Sequence, residues 1–505
     1  MLARQGVGPG SIDPTTLLAI LLGASGAAYV AVAMPGTYRL ALAVAVGANL
    51  VVLGMKWPRA AALGTLLFLP FLGLVRRLLI LEVPWNANDP LVLVGPVVAL
   101  FLVYRLYVLG ERRLTTDLLS KLVLGMLVLC VLQLANPFAQ GTLLSNAGGL
   151  IFLAVPLLWF FIGRTVADER SVSILLKGVI AVALIVAVYG VFQTEWSAGE
   201  RLPAWDQEWY EVAGYAALNV SESADANNTI RAFSTFPSNG EYSNYLAIAL
   251  VCIFALLFHR RPLYLLAAPL LLVAVFYSGG RATMALAGLA IVFLLGMRTR
   301  NAAWAAVVVA VGVGAVFALA SVAGPRLDEA AGVSGDTVAK RNVDGFLRPL
   351  DPDGSGVGRW ANFLDGIGAG FTNPAGAGTG AANAAGTNLS DDAQGTKVTD
   401  NDISSVFLSL GAVGGIVYLV LIVAMLRAVF RAYVRTRSWM VFATMGVLIV
   451  MFGNWLNGAM YALAPLVWFL VGWATGPAAG GEDEEAEPER ARESEPEPLR
   501  AAVPA

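Results

Sequence analysis

The sequence predicts an all-α polytopic membrane protein with about fourteen transmembrane helices. Three observations lead there. Of its 505 residues, 57% are hydrophobic and 13% are charged, about half the charged share of a soluble domain. The mean hydropathy is +0.70. Above all, apolar runs approaching the ~20 residues needed to span hydrocarbon recur along the chain. They fall near 15–34, 37–55, 60–81, 91–109, 118–135, 146–163, 174–193, 241–258, 262–278, 282–298, 302–322, 402–426, 439–454 and 459–476. The first run ends in Ala31-Val32-Ala33, which resembles a leader-peptidase site. Arg4 is the sole basic residue before it, so an uncleaved helix is expected.

Lysine and arginine orient the spans. Alternate loops hold Lys56 and Arg59; Arg112, Arg113 and Lys121; Arg164, Arg170 and Lys177; Arg260 and Arg261; Arg298 and Arg300; and Arg427, Arg431, Arg435 and Arg437. The intervening short loops, 82–90 and 136–145, hold almost none. Short loops rich in Lys and Arg stay cytoplasmic, so both termini are expected inside. The membrane domain then covers 1–476, with two long outer loops near 194–240 and 323–401. The segment 477–505, opening on Gly481-Glu482-Asp483-Glu484-Glu485, reads as a disordered acidic cytoplasmic tail.

Composition excludes some chemistry. The two cysteines, Cys130 and Cys252, lie inside apolar runs, and the one histidine, His259, sits in a basic turn, His259-Arg260-Arg261-Pro262. No zinc or thiolate site is expected, and no cofactor or metal is required.

Candidate residues lie on the outer side. Charges near membrane depth are costly, which singles out Arg76 and Arg77 near the end of the third span. They read as snorkelling side chains or as cations at the phosphate level of the outer leaflet. Arg281 follows Ser278-Gly279-Gly280 at an outer turn. Arg231 closes the first long loop, in Arg231-Ala232-Phe233-Ser234-Thr235-Phe236-Pro237. That loop also carries Trp196, Trp205, Trp209 and Tyr210 among acidic residues, either a surface-lying segment or a sugar-stacking lid. The second loop holds Arg359, then Asn373-Pro374-Ala375-Gly376-Ala377-Gly378-Thr379-Gly380, whose backbone N–H groups could face a phosphate. Asp391, Asp392, Asp400 and Asp402 follow. Their spacing fits no defined calcium loop, and Asp400 before an apolar run also suits a helix cap.

The order of these pieces resembles the superfamily of O-antigen ligases and O-antigen/exopolysaccharide polymerases, bacterial membrane glycosyltransferases. Three segments carry the resemblance: Arg231 to Tyr245; Tyr277-Ser278-Gly279-Gly280-Arg281-Ala282-Thr283; and Arg359-Trp360 through the Gly-rich run to Asp400-Asn401 and Leu408-Ser409-Leu410-Gly411. Gly370, separated from Arg359 by ten intervening residues, adds a spacing similar to that of the polymerases. Together they cover about 230–430. The resemblance implies a GT-C-like fold in the bacterial cytoplasmic (inner) membrane. It also implies transfer of glycan repeat units from a polyprenyl-pyrophosphate carrier to a lipid-linked acceptor at the outer face. Arg231 and Arg359 would meet charge on the leaving pyrophosphate, and Asp400 would take the acceptor proton. Arg281, Arg76, Arg77, Asn401 and Asp402 would bind substrate, with Asp402 the reserve base. The ligases carry His where this chain has Asp400, which favours a polymerase. Other polysaccharide-assembly proteins are expected partners; nucleic acid is not.

Two further readings remain open. A ligase would transfer the glycan to another acceptor. A lipid-linked glycan flippase would also suit many spans, although the sequence shows no clear internal repeat of the kind transporters use.

Overall fold

The computed structural model describes residues 37–84, 89–110, 117–198, 202–212, 230–298, 355–382, 401–457 and 460–480. Among them no β-strand forms. The helices are α1 (Tyr38–Lys56), α2 (Pro58–Leu81), α3 (Pro90–Leu109), α4 (Leu118–Ala135), α5 (Leu143–Val166), α6 (Glu169–Ala198), α7 (Ala204–Val212), α8 (Asn239–Phe258), α9 (Pro262–Tyr277), α10 (Arg281–Arg298), α11 (Ser355–Thr372), α12 (Asp402–Thr436), α13 (Trp439–Val450) and α14 (Leu463–Ala474). Nine of the described helices are long and apolar enough to cross a membrane, and α9, α13 and α14 are shorter apolar helices. Each of them coincides with an expected span. The expected spans at 15–34 and 302–322 and the tail beyond 480 lie outside the described residues.

Helix starts follow local chemistry. The first turn of a helix leaves N–H groups that membrane hydrocarbon cannot satisfy. Asp117 accepts from the Ser120 amide at 3.1 Å, Thr142 from Ser145 at 3.1 Å and Ser238 from Glu241 at 3.2 Å. These caps open α4, α5 and α8.

Most of α8 is buried, and so is nearly all of α14, whereas α1 lies at the periphery. The closest helix contact joins α5 to α14. A Cβ on Gly163 would lie 2.1 Å from the Phe469 carbonyl, and one on Gly472 2.0 Å from that of Phe160. Hydrocarbon around a helix is as apolar as leucine, so this approach is held by van der Waals contact rather than by the hydrophobic effect. Trp159, Trp468 and Trp473 fill the space beside it and are fully buried.

Two helices are broken, and each break receives a loop. In α2, a 3₁₀ turn at Leu69–Phe71 follows the interruption at Pro70. Thr235 enters that gap: its hydroxyl donates to the Pro70 carbonyl at 2.7 Å, and its own carbonyl accepts from the Leu74 amide at 2.8 Å. The inserted residue thus supplies both halves of the missing i→i−4 rung. Gly73 permits it, since a Cβ there would stand 2.5 Å from the Thr235 carbonyl. In α12, Gly411 has φ 70°, the left-handed region that glycine favours. The Ala377 and Gly378 amides donate to the Leu408 and Ser409 carbonyls beside this break, at 2.9 and 3.1 Å.

Contacts gather the basic helix ends at one end of the bundle. Arg59 pairs with Asp168, and Arg164 with Asp117 at 2.8 Å. Arg298 lies over the Phe258 ring at 4.9 Å, and the His259 ring is 6.4 Å from Trp439.

Candidate functional site

Of the expected site residues, Arg77, Arg231 and Arg281 collect at the opposite end, around residues 230–239. This segment is held from three sides. Thr235 anchors it to α2. Gln193 on α6 accepts from the Phe233 and Ser234 amides at 3.0 and 2.8 Å, and the Ser234 hydroxyl donates to the Val186 carbonyl at 2.6 Å. On the third side, the Ala232 amide donates to the Tyr277 carbonyl at 3.2 Å and Asn239 to that of Ser278 at 3.1 Å. Ser234 has φ 51°, an uncommon conformation for a side-chain-bearing residue that these bonds maintain.

Arg231 emerges from this frame onto the Ser278-Gly279-Gly280 turn. Its Cδ would be 2.5 Å from a Cβ on Gly279, two residues before Arg281. The backbone therefore brings the two candidate arginines to one turn. Beneath the turn, Ser243 and Thr283 share a 3.1 Å hydrogen bond, and Thr283 donates to Asn244 at 3.2 Å. Asn244 reaches the Met460 sulfur at 3.7 Å. The Met460 amide donates to the Asn457 carbonyl at 2.8 Å, and Asn457 donates to Asn454 at 3.0 Å. Polar contacts thus run from the Arg231 turn to the start of α12, where Asn401 faces Gly453.

Asn401 and Asp402 act within the protein. Asn401 caps α12 by accepting from the Ile403 amide at 2.8 Å, so the cap position expected of Asp400 is one residue later. Asp402 is fully buried. It accepts from the Tyr418 hydroxyl at 2.5 Å and from the Trp455 and Leu456 amides at 2.7 and 3.1 Å. Its carboxylate ties α12 to the turn before α14 instead of facing an acceptor sugar.

Arg76 and Arg77 also differ from the expectation of outward-reaching cations. Arg76 Nε lies 3.2 Å from Asp89, which Arg39 also meets at 2.5 Å. Arg77 is fully buried: Nε lies 3.0 Å from Asp206, its guanidinium donates to the Phe236 carbonyl at 2.8 Å and to that of Ser234, and it covers the Phe233 ring at 4.6 Å. A buried cation needs a nearby anion and filled donor positions, and 230–239 with α7 provides them. The aromatic and acidic patch of the first long loop is therefore docked in part. Trp209 is buried, and Asp206 also accepts from Tyr189 at 2.6 Å and Gln193 at 2.8 Å.

The Gly-rich run is built inward as well. The Gly380 amide donates to Asn146 at 3.1 Å, and Gln133 and Asn136 donate to the carbonyls of Ala375 and Gly376 at 2.8 and 2.9 Å. With Ala377 and Gly378 bonded to α12, this loop offers protein-bound amides, not a phosphate cradle. It joins α11, α12 and α5. Gly366 and Gly370 of α11 meet Ser404 and Phe407 of α12 in the same sense along both helices. The helix start that carries Arg359 thus projects beyond Asn401, by roughly 6 Å at 1.5 Å per residue. Asp391, Asp392 and Asp400 lie outside the described residues.

Sequence reasoning missed Glu241. It is fully buried, and its Oε1 accepts from the Ala462 amide at 2.5 Å. An acid in the first turn of a span was its visible signal; its partner lies 221 positions away. Asp89 and Asn146 were missed for the same reason. Among the described residues no group of three or more His, Cys, Asp or Glu is placed to hold a metal ion.

These features define a multi-pass helical membrane protein with a polar, arginine-bearing end. No family model matches the chain, and no curated protein matches it.

Proposed function

We propose that this protein is a polysaccharide polymerase of the outer face of a bacterial cytoplasmic membrane, transferring glycan repeat units from a polyprenyl-pyrophosphate carrier to a growing lipid-linked acceptor. The observation that supports it most is the joining of Arg231 to the Ser278–Arg281 turn. That junction lies at the bundle end away from the basic loops, and the start of α11 projects at the same end. With about fourteen spans and both termini inside, the positive-inside rule makes this end extracytoplasmic.

The proposed reaction is a single displacement. The acceptor hydroxyl oxygen attacks the anomeric carbon of the donor and the carbon–oxygen bond to pyrophosphate breaks, with inversion. The acceptor proton passes to Asp400, and the carrier leaves as pyrophosphate. Arg231, Arg281 and Arg359 meet the charge that grows on the leaving group, for which a planar guanidinium offers paired donors. Asp402 is assigned to hold the fold at this end, and Arg76 and Arg77 to brace it.

A deletion strain complemented with wild type or Arg359→Ala tests the reading through glycan chain length and the lipid-linked pool. Single repeats left on the carrier, with normal protein levels, support polymerisation. Full-length polymer retained on the carrier indicates a ligase, and repeats trapped on the cytoplasmic side indicate a flippase; either rejects the proposal.

A further inference from the structure

The basic end of the bundle holds a cavity of about 760 Å³, lined by Lys56, Trp57, Arg59, Arg105, Asp168 and Arg170 among others. That volume suits a small ligand. Among the described residues that line it, four cationic side chains stand against a single carboxylate. Arg59 is fixed by its bond to the Val166 carbonyl at 2.8 Å and its pair with Asp168. Arg105 is fixed by donating to the Met55 carbonyl at 2.9 Å, while Lys56 and Arg170 are exposed. Burial raises the Asp168 carboxyl, but the hydrogen bond from the Ser171 amide and the Arg59 charge hold it below the usual carboxylate range. It stays ionised at neutral pH, and the cavity keeps an excess of positive charge.

The wall of the same cavity turns apolar. Ala60, Leu63 and Ile174 line it, and Met55, Val108, Leu109 and Ile174 are exposed on the adjoining helix ends. A ligand that satisfies both parts is anionic at one end and apolar at the other. We propose that this cavity holds the phosphate headgroup of an anionic phospholipid, with its acyl chains running along the exposed flank. Arginine pairs phosphate oxygens through its fork, Trp57 suits the headgroup level, and basic pockets between membrane helices are suited to anionic headgroups. The apolar flank favours a lipid over a free phosphate. The inference does not depend on glycosyl transfer, because the cavity is at the end away from Arg231.

Native mass spectrometry of the detergent-purified full chain, titrated with dioctanoyl phosphatidylglycerol, tests it. The expected result is tighter binding than for dioctanoyl phosphatidylcholine. A Lys56→Gln/Arg170→Gln variant should weaken it by roughly 25-fold, at about five-fold per basic residue. Arg435→Gln, an exposed cation of the same end outside the cavity, should bind as wild type, and all three proteins should share one melting temperature. Equal binding of phosphatidylcholine, retained binding in the double variant, or equal weakening by Arg435→Gln overturns the proposal. So does full competition by glycerol 3-phosphate, which would make the ligand a free phosphate.

Discussion

Arg77 and Arg231 are both arginines of the same end, one enclosed within the fold and one packed on the Gly279 turn. Arg77 is enclosed by Asp206, two carbonyls and the Phe233 ring, so its removal strands a buried carboxylate. Arg77→Met is expected to destabilise the protein by about 3–5 kcal/mol, seen as a lower melting temperature in detergent. Adding Asp206→Leu should recover much of that loss, because the orphaned charge goes with it. Arg231→Ala is expected to lower polymerisation about 10²–10³-fold at matched levels of folded protein, the scale of one preorganised charge partner at a transition state. Asp402→Leu removes the one carboxylate oxygen that the Tyr418, Trp455 and Leu456 donors share and should cost on the order of 1–3 kcal/mol, by the same melting measurement. These distinctions were not legible in the sequence. Asp206 lies 129 positions after Arg77, and nothing local in the sequence marks Arg77 as braced.

The helices themselves were legible at the level of elements. Twenty-residue apolar runs bounded by charge locate spans because hydrocarbon leaves the backbone no other partner. What the two interruptions accept was hidden. Pro70 announces a break in α2, yet the insertion of Thr235 depends on a residue 165 positions away. The Gly-rich run around 376–380 read as a phosphate cradle from composition, and its amides are bonded to α12 and Asn146 instead. The Gly411 break carries a clear expectation. Alanine there would take a positive-φ, extended-ψ conformation (φ 70°, ψ −172°) essentially confined to glycine, costing roughly 1–3 kcal/mol, and would bring a Cβ to 2.1 Å from the Pro374 carbonyl. Gly411→Ala should therefore undock 373–380, giving little monodisperse protein on size-exclusion chromatography, whereas Gly288→Ala, with open space around its Cβ position, should behave as wild type.

At the scale of the whole molecule, the two ends of the bundle differ in kind. Basic helix ends gather at one, and the Arg231–Gly279 junction, Asn401 and the start of α11 at the other. With Cys130 and Cys252 buried, a membrane-impermeant maleimide should label Phe138→Cys in intact cells and label Arg435→Cys only after permeabilisation. Both positions are exposed. The reverse pattern would place the arginine-bearing end in the cytoplasm, away from the proposed substrate. The most direct test of the central claim is synthesis by the purified protein in liposomes supplied with radiolabelled lipid-linked repeat units, with products resolved by length. A ladder of longer lipid-linked glycans from wild type, abolished in folded Arg231→Ala protein, is the predicted result. An unextended substrate with folded wild type, or a ladder undiminished by Arg231→Ala, would contradict it.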